Sequence, residues 1–233
     1  MADLKTTLQQ KKELIRFLSE YVTPPRLSKI RSVLEKRTRH LCLVMEDIYQ
    51  SQNASAVLRS CDCFGIQDVH IIENQNVYEI NPDVALGASK WLSLYKYNNR
   101  EHNTSACLAH LKERGYRIVA TSPHRNDFLL EDLPVDQRTA LLFGTEQKGL
   151  TQEAASMADA FVKIPMQGFT ESFNISVSAA ICLYHLGAKI RETVPGWMLS
   201  EEEKTDLLLE WIKQSVKNPE SLIRHFIDQK QAT

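Results

Sequence analysis

The sequence is poor in glycine: there are eight in 233 residues, and none forms G-x-G-x-x-G or G-x-x-x-x-G-K-[ST]. Those loops cradle phosphates on backbone N–H groups where a helix begins. Their absence argues against a nicotinamide enzyme, a P-loop ATPase and the common methyltransferase fold with its glycine-rich first loop. No G-x-S-x-G elbow is present either, which removes the nucleophile of the α/β-hydrolases. No apolar run approaches the roughly 18 residues of a membrane-crossing helix. The opening MADLKTTLQQKKELIRF is too charged for the apolar core of a secretory signal. The five cysteines (42, 61, 63, 107 and 182) are odd in number; Cys61-Asp-Cys63 is not a C-x-x-C, and no histidine lies nearby at zinc-ligand spacing. The expectation is reduced thiols, no metal, no membrane and a cytoplasmic location.

What is present is an ordinary soluble composition, 43% hydrophobic and 24% charged, with net charge −1. The charge is unevenly spread. Residues 1–41 carry ten Lys/Arg against four acids, or +6, which leaves −7 on the remainder. Arg26, Lys29, Arg31, Lys36, Arg37 and Arg39 crowd the end of this stretch. Taken alone, such a face is either a docking surface for polyanions or a solvated helical surface.

Residues 4–20 and 26–38 read as two helices interrupted by Thr23-Pro24-Pro25, with Leu27, Ile30 and Leu34 at helical spacing. Short apolar runs then alternate with helical patterns. LCLVM (41–45), DVHII (68–72), YRIVAT (116–121), TALLFG (139–144) and AFVKIP (160–165) read as strands. Helices are expected from Asn53, over 101–114, from Thr151 and from Asn174. Short strands buried on both faces and separated by helices predict an α/β fold built on a mostly parallel sheet. Gly196 in VPGW marks a linker, followed by helices near 201–217 and 219–228. The expected organisation is a basic helical extension over 1–40, an α/β domain over 41–192 and a helical extension over 193–233.

A parallel sheet binds ligands beyond the carboxyl ends of its strands, and three stretches fall there. In NASAVLRSCDCFG, Asn53 sits where a helix N-cap is expected. Ala54, Val57, Leu58, Cys61 and Phe64 form an apolar stripe, with Arg59 on the opposite face. In LLFGTEQKGLT, Gly144 and Gly149 bracket a polar turn that carries Glu146 and Lys148. In IPMQGFTESFNISVS, Ser172, Asn174, Ser176 and Ser178 precede and enter a very apolar helix, more hydrogen-bonding groups than capping needs. Each stretch alone also fits a bland role as a capped helix, a solvated turn or a helix start.

Together they resemble the SpoU (SPOUT-class) RNA ribose 2′-O-methyltransferases. The family motifs read here as Asn53…Arg59, Phe143-Gly144-Thr145-Glu146-Gln147-Lys148-Gly149-Leu150, and Ile164-Pro165-Met166-Gln167-Gly168…Ser172-Phe173-Asn174-Ile175-Ser176-Val177, in the family's order and spacing. The resemblance spans residues 40–190, and its one departure is Phe173 where the family usually has Leu. It implies a deep trefoil knot threading 172–190, a physically rare feature, and a homodimer paired on helix 174–190. It also implies S-adenosylmethionine held by Thr121, Gly144, Glu146, Ile164, Met166 and Phe173.

The implied reaction is in-line attack of a ribose 2′-oxygen on the cofactor's methyl group, with Arg59, Asn53, Glu146, Ser172 and Asn174 as catalytic residues. A guanidinium with its pKa above roughly 12 is a poor general base. Arg59 is therefore expected to hold an adjacent phosphate and stabilise negative charge developing on oxygen. Helical extensions at both ends, and the entry segment RLSKIRSVLEKRTRHLCLVMEDI, are similar to the TrmH-type tRNA (guanosine-18) group. Arg26, Lys29, Arg31, Lys36, Arg37, Arg39 and Arg59 are then the expected tRNA contacts. Another tRNA position, rRNA, or a non-catalytic RNA-binding paralogue are the alternatives.

Overall fold

The run LCLVME is apolar on both of its alternating faces, so as a strand it can sit only inside a sheet covered on both sides. It forms β1 (Leu41–Glu46), all six residues buried. β2 (Asp68–Ile72) and β6 (Thr139–Phe143) are likewise buried throughout. The computed structural model describes residues 7–79, 81–99, 102–125, 127–145 and 148–231. Among these, seven strands form one sheet in the order β3-β2-β1-β6-β4-β7-β5. The others are β3 (Ser93–Tyr97), β4 (Arg117–Thr121), β5 (Phe128–Leu129) and β7 (Ala160–Lys163). Every pairing is parallel; Leu43, for example, stands beside Val69 on one side and Leu141 on the other. All carboxyl ends therefore share one edge.

Alternation along each strand divides the core. Leu41, Leu43, Met45, Leu141 and Phe143 pack with α3 (Ser51–Cys63) and with the longest helix among the described residues, Ile175–Thr193. Cys42, Val44, Ala140 and Leu142 pack instead with Cys107, Leu108 and Leu111 of the helix Asn103–Glu113. In chain order the remaining helices are α1 (Leu8–Ser19), α2 (Pro24–Leu34), the short α4 (Pro82–Ala85), α6 (Gln152–Met157), α8 (Glu201–Lys213) and α9 (Pro219–Gln231). Asn103–Glu113 is α5 and Ile175–Thr193 is α7. Two strands have no apolar run to announce them. SLYKY is an edge strand with intermediate exposure, and β5 is only two residues long.

The chain divides into two compact units, residues 38–197 and residues 1–37 with 198–233. The first holds the α/β sheet. The second joins the two helical extensions, which the sequence had presented as separate pieces: Leu14, Ile15 and Leu18 of α1 share a core with Leu209 and Ile212 of α8. Lys11–Asp206 (2.5 Å), Lys204–Glu35 (2.6 Å) and Lys230–Glu13 are ion pairs on this unit. The break between α1 and α2 falls before Pro24, and both prolines are taken into the first turn of α2, two residues ahead of the expected start, because that turn needs no N–H from them.

Candidate active site

The strand-to-helix connections leave from the carboxyl edge. The one after β7 ends at Asn174, the N-cap of α7, whose Oδ1 accepts from the Ser176 N–H (2.8 Å) and hydroxyl (2.6 Å). Its Nδ2 donates to Asn53 Oδ1 across 121 residues of sequence, at 3.1 Å. Asn53 is not an N-cap, as the sequence led us to expect. The helix begins two residues earlier with Gln50 as cap, and Asn53 lies in the first turn, donating to Gln50 Oε1 at 2.9 Å. Its side chain is thus shared between this bond to the cap residue and the tertiary bond to Asn174.

A cavity of about 70 Å³ opens between the ends of β4 and β7. Thr121, Ile164, Met166, Ser172 and Phe173 all line it, along with Ser122, Pro123, Val162 and Ser178. Thr121 donates its hydroxyl hydrogen to the Leu142 carbonyl (3.1 Å), which ties it to the neighbouring strand. The lining fits S-adenosylmethionine in kind: an apolar strip of Val162, Ile164, Met166 and Phe173 suits a purine face, and the hydroxyls of Thr121, Ser122, Ser172 and Ser178 suit polar ends. Ser178 follows Asn174 by one helical turn, a spacing legible in the sequence but not used. Gly144 sits on the adjacent connection, after β6. That loop folds back on itself through mutual Thr145–Gly149 backbone hydrogen bonds of 3.0 Å, and a Cβ on Gly144 would overlap the backbone of Gly149 and Leu150. Glu146 lies outside the described residues.

Arg59 is exposed on α3. Six residues beyond Asn53, it is turned about 240° around the helix, so the two do not share a face. Arg26, Lys29, Arg31 and Lys36 are exposed on the helical unit. Two expected tRNA contacts are corrected. Arg37 is only 1% exposed, its guanidinium lying 5.2 Å over the Trp211 ring, where no phosphate could reach it. Arg39 Nε donates to both carboxylate oxygens of Asp68 at 3.1 Å. That pair sits at the amino ends of β1 and β2, opposite the cavity, where burial pushes the Asp68 carboxyl up against the pull of Arg39.

A buried acidic feature at the same edge escaped the sequence reading. Glu46, at the end of β1, accepts from the Thr104 hydroxyl (2.8 Å) and from both the hydroxyl (2.7 Å) and N–H (2.9 Å) of Thr151. Next to it, Asp47 has a left-handed backbone (φ 56°), and one of its oxygens accepts three backbone N–H groups, from Asn74, Gln75 and Asn76. The only signal in the sequence was that an apolar strand runs directly into Glu-Asp. The cysteines take no part. None of the five is in a disulfide, and burial pushes the Cys107 and Cys182 thiols up to about 12 and raises Cys42 as well, so these three offer no thiolate at neutral pH.

The chain is similar to known proteins in sequence and in fold. The family model for the SpoU rRNA Methylase family matches residues 40–184. A tRNA (guanosine(18)-2′-O)-methyltransferase of Borreliella burgdorferi is 45% identical over 204 residues, covering 88% of this chain and 92% of the relative. One from Escherichia coli K12 is 32% identical, covering 81% and 82%. The crystal structure of the A. aeolicus TrmH/SpoU tRNA modifying enzyme superposes with a TM-score of 0.73 at 30% identity, covering 83% of this chain and 98% of that one.

Proposed function

Because the chain belongs to the SpoU rRNA methylase family, we propose that it methylates the ribose 2′-oxygen of guanosine 18 in tRNA, using S-adenosylmethionine. The observation that carries this reading is the cavity in which Thr121, Ile164, Met166, Ser172 and Phe173 converge from separate stretches of chain. Bound there, the cofactor would supply an electrophilic methyl group on a sulfonium. The protein's task is to place the nucleophile. The Asn53–Asn174 bond locks the start of α3 to the start of α7, fixing the floor on which the ribose rests. Arg59 engages the adjoining phosphate and opposes the negative charge that grows on the 2′-oxygen. Ser172 shapes the cavity wall, and Glu146 keeps the pocket role that the family motif gives it.

Several further features belong to this reading. The segment 172–190 threads a trefoil knot, as in other SPOUT proteins. The enzyme works in the cytoplasm, on the tRNA found there, and no helix among the described residues is long and apolar enough to cross a membrane. Two copies pair through α7, whose Val177 and Tyr184 (67% exposed) leave apolar surface uncovered alongside Phe173. Sedimentation at micromolar concentration is expected to show a dimer, and a monomer would contradict the pairing. The exposed Arg26, Lys29, Arg31 and Lys36 meet the tRNA backbone. The deciding experiment incubates the protein with labelled S-adenosylmethionine and bulk tRNA or rRNA and maps the product to the nucleotide. A 2′-O-methyl group at guanosine 18 is expected; label confined to rRNA, or on a base, would overturn the assignment.

A further inference from the structure

A second cavity, of about 520 Å³, lies at the carboxyl ends of β1 and β6, across the Gly144–Gly149 loop from the first. We propose that it receives the base of the nucleotide being methylated and that Asp47 reads this base as guanine; the inference rests on the methyltransferase reading above.

Position is the first argument. A ribose presented to the cofactor cavity must carry its base to one side, into a space next to that cavity but distinct from it. This cavity meets that condition. Gln50 on its rim accepts from Asn53, which accepts from Asn174, and Asn174 directly follows Ser172 and Phe173 of the first cavity. One line of hydrogen bonds therefore joins the two rims.

Chemistry is the second argument. Tyr49, 76% exposed, lines the cavity and offers an aromatic face on which a base can stack. Both oxygens of Glu46 are consumed by Thr104 and Thr151. Asp47 differs. It is 8% exposed and lines the cavity, and the three amide bonds fall on one oxygen, leaving the other without a hydrogen-bond partner among the described residues. A left-handed, non-glycine residue so firmly clamped at a cavity wall is a residue held for a purpose. A carboxylate oxygen open to the cavity accepts adjacent N–H donors, and guanine alone among the bases offers N1–H and N2–H₂ side by side on its Watson–Crick edge. Lys148, which also lines the cavity, supplies a donor for O6 or N7. Adenine would set its N1 lone pair against the carboxylate.

The test uses the full chain and tRNA assembled by ligation with guanosine, inosine or adenosine at the methylated position; inosine lacks only the 2-amino group. The parent should prefer guanosine to inosine in kcat/KM by about tenfold or more, as expected for loss of a hydrogen bond to a charged group. Asp47→Asn keeps an oxygen for the three amides and tolerates the left-handed backbone, but turns the remaining acceptor into a donor. It should lose about thirtyfold or more on guanosine and bring the guanosine-to-inosine ratio to about one, with thermal midpoint and cofactor affinity at parental values. Tyr49→Ala should raise KM for all three substrates alike. A parent that does not distinguish guanosine from inosine overturns the proposal, whatever the stability of the Asp47 variant. So does an Asp47→Asn protein that keeps the parental ratio. A parent that transfers methyl to no tRNA at all overturns the functional reading itself, a result the ratio experiment cannot be confused with.

Discussion

At the scale of single residues, the arrangement separates holding from charge stabilisation. Asn53 and Asn174 are bound to each other and to Gln50 and Ser176, whereas Arg59 projects from another face of α3. Arg59→Ala is therefore expected to reduce methyl transfer by at least a hundredfold, with S-adenosylmethionine affinity by calorimetry within about twofold of the parent. Near-parental turnover would remove Arg59 from the mechanism. Arg59→Lys should fall between, because it keeps the charge but loses the two-pronged phosphate geometry. The sequence showed which of these residues carry hydrogen-bonding chemistry, but not their partners. Periodicity reports a residue's neighbours within a few turns, and Asn174 lies 121 residues from Asn53. The same limit explains Arg37. It reads like Arg31 in charge and setting, and what buries it is Trp211, from the far end of the chain.

At the scale of elements, the connection after β6 and the packing around β2 make separate demands. The loop closed by the Thr145–Gly149 bonds approaches Gly144 so closely that Gly144→Ala must open it. Loss of methyl transfer by well over tenfold is expected, while the helical unit keeps its circular-dichroism signal; full activity in this variant would mean the loop is dispensable. On β2, His70 is stacked on Tyr95 (ring centroids 4.7 Å apart) and lies near the Tyr97 hydroxyl (3.2 Å). Burial, aided by His110 and Arg114, lowers its pKa from 6.5 to about 3. The native state thus keeps the ring neutral while the unfolded chain binds a proton below pH 6.5, so stability must fall as pH drops from 6.5 toward 3. By pH 4.5 the loss attributable to His70 is roughly 2–3 kcal/mol. Denaturant unfolding at pH 7 and 4.5 should show His70→Phe losing less on acidification than the parent, by about that amount, and equal losses would refute it. The five strands with apolar runs were legible before the fold was known. β3 was not, because an edge strand needs no continuous apolar face.

At the scale of the whole molecule, the basic face divides by burial. Arg37 and Arg39 are engaged within the fold, which leaves Arg26, Lys29, Arg31 and Lys36 at the surface. Neutralising Lys29, Arg31 and Lys36 together should weaken tRNA binding and flatten the log–log salt dependence by roughly two to three units, at about 0.9 per duplex phosphate contact and less on single strands. Cofactor affinity should not move. A triple variant with the parental slope would make this face a mere solvated surface. The strand order carries a consequence for how the molecule comes into being. β6, residues 139–143, lies between β1 and β4, and β7 lies between β4 and β5. As the chain leaves the ribosome, β1 to β3 can associate by residue 97, but one flank of β1 has no neighbour until residue 143 has emerged. For some fifty residues of synthesis the nascent protein carries an open sheet edge on a strand that is apolar up to Glu46, the kind of surface on which chaperones act and aggregation starts.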